Sequence, residues 1–165
     1  MKTRYLCKIN SIENYQGDTR KIILSMPKGR GQKFFAGQYL QIITPEKKFP
    51  FSIASAPINQ NQIELHIKPT PKSKDSEIIE SIIDSSDVLE IEAPLGNCYV
   101  EEPPTRPLIL LAASTGITQM KSIIEFLEPH GFEQETFLYW GVISPDDLYL
   151  DDLCSTWAVS YTHLT

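Results

Sequence analysis

Nowhere in this chain of 165 residues does an apolar run approach the roughly 18 residues of a membrane-spanning helix. The N-terminal segment Met1-Lys2-Thr3-Arg4-Tyr5-Leu6-Cys7-Lys8 lacks the apolar stretch of a signal peptide. Basic charge is scarce too: 15 Lys and Arg stand against 21 Asp and Glu, a net charge of −6. Nucleic acid and anionic membrane surfaces need a basic footprint, so neither is an expected partner. Cysteine is limited to Cys7, Cys98 and Cys154, far apart and without CxxC spacing. Such a set reads as free thiols in a reducing compartment, not as a disulfide frame or metal site. No metal-ligand cluster, nucleophile–base pair or pair of catalytic carboxylates stands out, and the full Gly-x-Gly-x-x-Gly fingerprint is absent. These absences leave a soluble cytoplasmic protein of ordinary globular composition, 41% hydrophobic and 22% charged.

What is present falls into two patterns. The first hundred residues read as short strands: Tyr5 to Ile12, Arg20 to Met26, Tyr39 to Thr44, Phe51 to Ser55, Gln62 to Lys68 and Val88 to Glu92. Prolines and glycines punctuate the gaps, and Gln62 to Ile67 alternates polar and apolar residues as a half-buried antiparallel strand does. Six short strands at near-even spacing predict a closed or nearly closed barrel. One helix interrupts them: Asp75 or Ser76 can cap Glu77 to Ser85, where Ile78, Ile79, Ile82 and Ile83 form one face that would plug an open end. The segment 101–107, with three prolines, reads as a hinge. Beyond it Leu108-Ile109-Leu110-Leu111-Ala112 is a continuous apolar run, the sign of a parallel strand buried on both faces. Ile117 to Leu127 is predicted helical, Thr136 to Trp140 a second strand, and Asp146 or Asp147 a cap for a helix towards Cys154. This β-α-β-α order begins a doubly wound α/β domain.

Three segments of the first hundred residues carry a likeness. Gly37-Gln38-Tyr39-Leu40 opens a strand, Phe49-Pro50-Phe51-Ser52-Ile53-Ala54-Ser55-Ala56-Pro57 places a hydroxyl after an aromatic, and Ile63-Glu64-Leu65-His66-Ile67-Lys68 follows. In this order and spacing they resemble the flavin-binding barrel of the ferredoxin–NADP reductase superfamily, and most of all its NAD(P)H:flavin oxidoreductase branch. The resemblance implies a six-stranded antiparallel Greek-key β barrel over residues 1–100, a hinge, and over 108–158 the start of an α/β doubly wound nucleotide-binding domain. It implies flavin (FMN, FAD or riboflavin) and NADH or NADPH as ligands, with an electron-acceptor protein as a further partner. Ser52 would be the catalytic residue, hydrogen-bonding flavin N5, with Phe49, Pro50 and Phe51 beside it. The family's Arg position is Phe49 here, with Lys47 and Lys48 before it, so flavin is expected as a loosely held substrate. The strand His66-Ile67-Lys68 matches the one whose backbone lines the flavin ribityl chain, with Lys68 a phosphate partner and His66 given no acid–base role. Read without the family, His66 is a solvent-facing strand histidine. Gly96, in Ala93-Pro94-Leu95-Gly96-Asn97, resembles the turn at the barrel edge.

On the nicotinamide side the turn Ala113-Ser114-Thr115-Gly116 follows a strand and opens a helix, where backbone N–H groups and the helix dipole hold a pyrophosphate. The family version is Gly-Gly-Thr-Gly, so Ser114, Thr115 and Gly116 are the expected dinucleotide contacts. Tyr139-Trp140-Gly141 resembles the family's strand-end segment, and the Arg expected at its end is Ile143, which points to NADH. Family members continue for several tens of residues, and the last seven residues here match one reading frame of a sequencing adapter. Residues 159–165 are therefore expected to be a non-native tail on a fragment. The function implied is hydride transfer from nicotinamide to flavin. Two alternatives stand beside it: a reductase component serving an oxygenase or sugar-deoxygenation partner, and a truncated flavin- or partner-binding barrel without turnover.

Overall fold

A computed structural model describes residues 2–29, 31 and 33–160. Six strands, β1 (Thr3–Asn14), β2 (Arg20–Ser25), β3 (Tyr39–Ile43), β4 (Lys48–Ser52), β5 (Gln62–Ile67) and β6 (Val88–Leu95), form one antiparallel sheet in the order β4-β3-β6-β1-β2-β5. The sheet curls into a barrel because every strand has one apolar face to bury. Ile22 and Leu24, Leu40 and Ile42, Ile63 and Leu65, and Leu89 and Ile91 all point inward with at most 1% exposure. Each such side chain contributes about 1.5–3 kcal/mol relative to exposure. At the seam between β4 and β5 the Ala54 N–H donates to the Glu64 carbonyl at 2.8 Å. Helix α1 (Lys74–Ser85) lays Ile79 and Ile83 into the same core.

The predicted strand over Phe51 to Ser55 is shifted: β4 ends at Ser52, because the Ile53 N–H turns to the Gln38 carbonyl and Ala54 to Glu64. Helix α1 begins earlier than predicted, with Ser73 as its cap and neither Asp75 nor Ser76; the Ser73 hydroxyl accepts from the Ser76 N–H. The six predicted strands and the helix of the barrel are thus all present and differ only in where they begin or end.

Past residue 107 the chain builds β7 (Leu108–Ala113), a 3-10 turn at Ser114–Gly116, α2 (Ile117–Leu127), β8 (Thr136–Gly141) and α3 (Asp151–Ser160). Strands β7 and β8 are parallel, with Leu108 opposite Thr136. Leu110, Ile123, Ile124, Leu127 and Trp157 share one core cluster, so α2 and α3 both contribute to the Leu110 side of the sheet. The expectation of a β7 buried on both faces is corrected: Ile109 is 67% and Leu111 68% exposed. Asp146 and Asp147 do not cap α3. They sit in a 3-10 turn at Pro145–Asp147 that Ser144 caps, and α3 starts at Asp151. Of the expected tail, residues 161–165 lie outside the described residues.

Candidate functional site

Ser52 is the last residue of β4, opposite Tyr39 of β3. Phe49 and Phe51 share one face of β4: Phe49 sits in the barrel core, 6% exposed, and Phe51 packs half-buried against that core, while Phe51 and Ser52 both border a cleft of about 550 Å³. Gly37, Tyr39, Pro50, Gly96, Cys98 and Gln119 line the rest of that cleft. Gly96 lies at φ +94°, and a Cβ there would stand 2.9 Å from the Tyr39 ring. A side chain at this position would displace that ring from the cleft wall, so glycine is required here. Among the described residues no hydrogen bond to the Ser52 hydroxyl forms, which leaves it available to a ligand. Two aromatic rings, a hydroxyl and a volume in the range of small-molecule sites fit a flat heteroaromatic ring such as isoalloxazine.

The other sequence-selected residues are placed unequally. Phe49 lies under Lys47, whose ammonium is 5.0 Å from its ring centroid, and borders a second hollow of about 270 Å³ with Phe51, Ile67, Lys68, Thr70 and Ser73. The lysines near this hollow have carboxylate partners: Lys47 with Asp75, Lys48 with Glu92 at 3.1 Å, and Lys68 with Asp147. Lys48 holds the Glu92 carboxyl below the usual range, and Lys68 does the same for Asp147. The second hollow was not foreseen from sequence, because the residues that shape it come from β4, β5, α1 and the loop that joins the last two.

The turn expected to meet a dinucleotide is held by its neighbours. Trp140 Nε1 donates to the Ser114 carbonyl at 2.8 Å, and the Thr118 hydroxyl donates to the Thr115 carbonyl at 2.7 Å. A Cβ at Gly116 would meet nothing within 4 Å, so this side of the turn is open to a ligand backbone. Ser114 adopts φ +49°, in the left-handed region. Tyr139 is 59% exposed and points away from the turn's Trp140 partner, and Gly141 ends β8 beside Ala112. Ser52 and the 114–116 turn meet through α2, whose Gln119 closes the cleft. Its amide donates to the Gly37 and Cys98 carbonyls, both at 3.0 Å.

His66 points away from the core, as alternation requires, yet it is not solvent-facing: its side chain is 0% exposed. The second lobe covers it. His66 Nδ1 lies 3.1 Å from the Tyr149 hydroxyl and Nε2 2.7 Å from Glu64. Tyr15 stands edge-on to the imidazole and 5.5 Å from the Tyr149 ring. Burial pushes the His66 pKa down and the Tyr149 pKa up. Burial alone would raise the Glu64 carboxyl, but His66 and Lys121 outweigh it and hold it at about 2.

Comparison with known proteins agrees with this geometry. The family model described as an oxidoreductase FAD-binding domain matches residues 6–99. A CDP-6-deoxy-L-threo-D-glycero-4-hexulose-3-dehydrase reductase from Yersinia pestis is 31% identical over 163 residues, 99% of this chain and 49% of that protein. An NAD(P)H-flavin reductase from Aliivibrio fischeri is 32% identical over 165 residues, covering 96% of this chain and 69% of its own length. Among solved structures, the Amycolatopsis cytochrome P450 reductase GcoB superposes with a TM-score of 0.86 at 22% identity, over 99% of this chain and 50% of that one, a likeness of fold. The chain thus spans about half the length of the first curated relatives it matches. It belongs to the oxidoreductase FAD-binding domain family of the ferredoxin–NADP reductase superfamily.

Proposed function

We propose that this chain carries the flavin site and part of the nicotinamide site of a cytoplasmic NAD(P)H:flavin oxidoreductase, divided at a hinge over 101–107. The observation that carries the reading is the cleft in which Ser52, Tyr39 and Phe51 face Gln119 of α2. Flavin, when bound, supplies the two-electron acceptor for a reduced nicotinamide. The chain's own part is to bind and orient. Tyr39 and Phe51 offer apolar walls, and the Ser52 hydroxyl offers a hydrogen bond to a ring nitrogen at the cleft edge. The N–H groups of Thr115 and Gly116, at the entrance to α2, suit a pyrophosphate. No protein acid or base is needed for this chemistry, so orientation and fixed dipoles supply the rate. With Phe49 in the core and Lys48 and Lys68 paired to carboxylates, flavin is read chiefly through its ring.

A second reading has its own support. The dehydrase reductase relative matches along 99% of this chain, so electrons could pass to a protein acceptor in place of free flavin. Oxidation of NADH or NADPH followed at 340 nm, with riboflavin, FMN or FAD added, separates the two. Turnover that saturates with free riboflavin supports the flavin reductase; a protein that purifies with bound flavin and turns over only with a protein acceptor supports the second. No flavin binding and no nicotinamide oxidation would sink both.

A further inference from the structure

Polar groups buried between the barrel and the second lobe converge on one carboxylate. Glu64 of β5 lies at the barrel seam, where its backbone accepts from Ala54 and its N–H donates to the Ser55 hydroxyl at 3.2 Å. Its Oε1 is 3.2 Å from Lys121 Nζ of α2 and 2.7 Å from His66 Nε2. Lys121 is only 8% exposed. It also contacts the Ala54 carbonyl at 3.4 Å and Glu125 at 2.8 Å. One residue on, the Ser122 hydroxyl donates to the Ser55 carbonyl at 2.8 Å. A lysine is almost never this buried unless it is paired, and removing one partner of such a pair leaves an uncompensated charge.

The location gives these contacts a purpose. Ala54 and Ser55 follow Ser52 by two and three residues, and Lys121 and Ser122 follow the Thr115–Gly116 turn by about one and a half helical turns. The bonds therefore tie the backbone that carries the flavin-facing hydroxyl to the helix that carries the nucleotide-facing turn. Gln119, on the same helix, closes the cleft between them. On the same face of β5, His66, bonded to Glu64, adds through the Tyr149 hydroxyl a second tie to the segment leading into α3. Neither Glu64 nor Lys121 lines the cleft.

We propose that Glu64, through its bridge to Lys121, is a positioning residue that sets the angle between barrel and nucleotide lobe, and with it the register of Thr115 and Gly116 against Ser52. The proposal rests on the functional reading above for its consequence, and on the packing alone for the bridge itself. Removing the bridge should loosen the 114–122 segment and misplace the nicotinamide while leaving the flavin wall intact.

The test compares the chain with its Glu64→Gln, Lys121→Met and Lys121→Arg variants in three measurements. Amide hydrogen exchange reports on residues 114–122 relative to β1 and β6, riboflavin fluorescence quenching gives flavin affinity, and NADH oxidation with riboflavin gives KM and kcat. In Glu64→Gln and Lys121→Met, exchange across 114–122 should accelerate about tenfold, the scale of one buried bond left unmade. Riboflavin affinity should stay within about twofold, while kcat/KM for NADH falls about tenfold. Lys121→Arg, which keeps a donor to Glu64, should restore most of both effects. Unchanged exchange at 114–122, or riboflavin affinity falling in step with melting temperature, would overturn the proposal in favour of a purely structural pair. Should Glu64→Gln fail to fold, the Lys121→Met and Lys121→Arg pair makes the same comparison from the helix side. Absence of riboflavin binding in the unsubstituted chain would defeat the functional reading, and the exchange data would still decide the bridge.

Discussion

Ser114 holds φ +49° at the mouth of the nucleotide turn, a conformation that costs a residue with a Cβ about 1–2 kcal/mol and costs glycine nothing. Glycine would bring a penalty of its own, about 0.5–1 kcal/mol of extra freedom in the unfolded chain. The first term exceeds the second, so Ser114→Gly should stabilise the protein by roughly 0.5 kcal/mol, read as a small rise in the urea midpoint. A lower midpoint would mean that the Ser114 side chain has a compensating role. Ser52 offers a different contrast. Its hydroxyl has no hydrogen-bond partner among the described residues, so Ser52→Ala should leave the melting temperature in place. It should slow nicotinamide-dependent flavin reduction by about tenfold, and weaken riboflavin binding less than that. Equal losses in rate and affinity would show that Ser52 only binds. Gly37 is the sterner position. A Cβ there would stand 2.8 Å from the Cys98 carbonyl oxygen with φ already at +103°, so Gly37→Ala should cost about 2 kcal/mol or more and distort the cleft. Intact urea stability in that variant would contradict this.

At the scale of elements, β5 and α2 are joined by ionised groups, and acid should part them. The Glu64 carboxyl is held at about 2 against an ordinary 4.5. An unfolded chain therefore takes up this proton as pH falls through 4.5, whereas the folded chain resists until about 2. The associated stability, about 3 kcal/mol, is present above pH 4.5 and lost progressively below it. His66, lowered from 6.5 by burial, acts in the same direction: the unfolded histidine protonates first, so stability begins to decline below pH 6.5. Urea midpoints measured from pH 7 to pH 3 should fall in both windows, and Glu64→Gln should flatten the lower one. Parallel slopes in the two proteins would show that Glu64 is not held this way. These elements also mark what could be read from sequence. β2, β3 and β5 were legible within a residue because inward apolar residues alternate along them, and α2 was legible throughout. Capping was less so: Ser73, Asp75 and Ser76 are all capable caps, and only the three-dimensional path of the chain selects Ser73. The cleft residues Ser52 and Gly96 were visible through a motif. Glu64, Lys121 and Gln119 were not, since a polar residue on a half-exposed strand or helix looks solvated until the opposite lobe is in place.

For the whole molecule, the balance of burial differs between the two lobes. The barrel closes on itself, and its core residues are nearly all shielded. The two-stranded sheet of β7 and β8 has helices on its Leu110 side, while Ile109, Leu111 and Tyr139 stay 59–68% exposed on the other. Three large apolar side chains on adjoining strands form the kind of patch that soluble proteins cover or use. Both edges of this sheet are also unpaired among the described residues, and an unpaired parallel strand invites a further one. Two consequences follow from this asymmetry. Hydrogen exchange should find the amides of β1 and β6 protected well beyond those of β7 and β8, because local opening of the small sheet exposes little that is now buried. Leu111→Lys should leave the melting temperature almost unchanged, since the side chain has little burial to lose, yet it should reduce concentration-dependent association seen by light scattering. A variant that associates as before would mean that this face does not drive association, and one that melts several degrees lower would mean that Leu111 is already packed in solution.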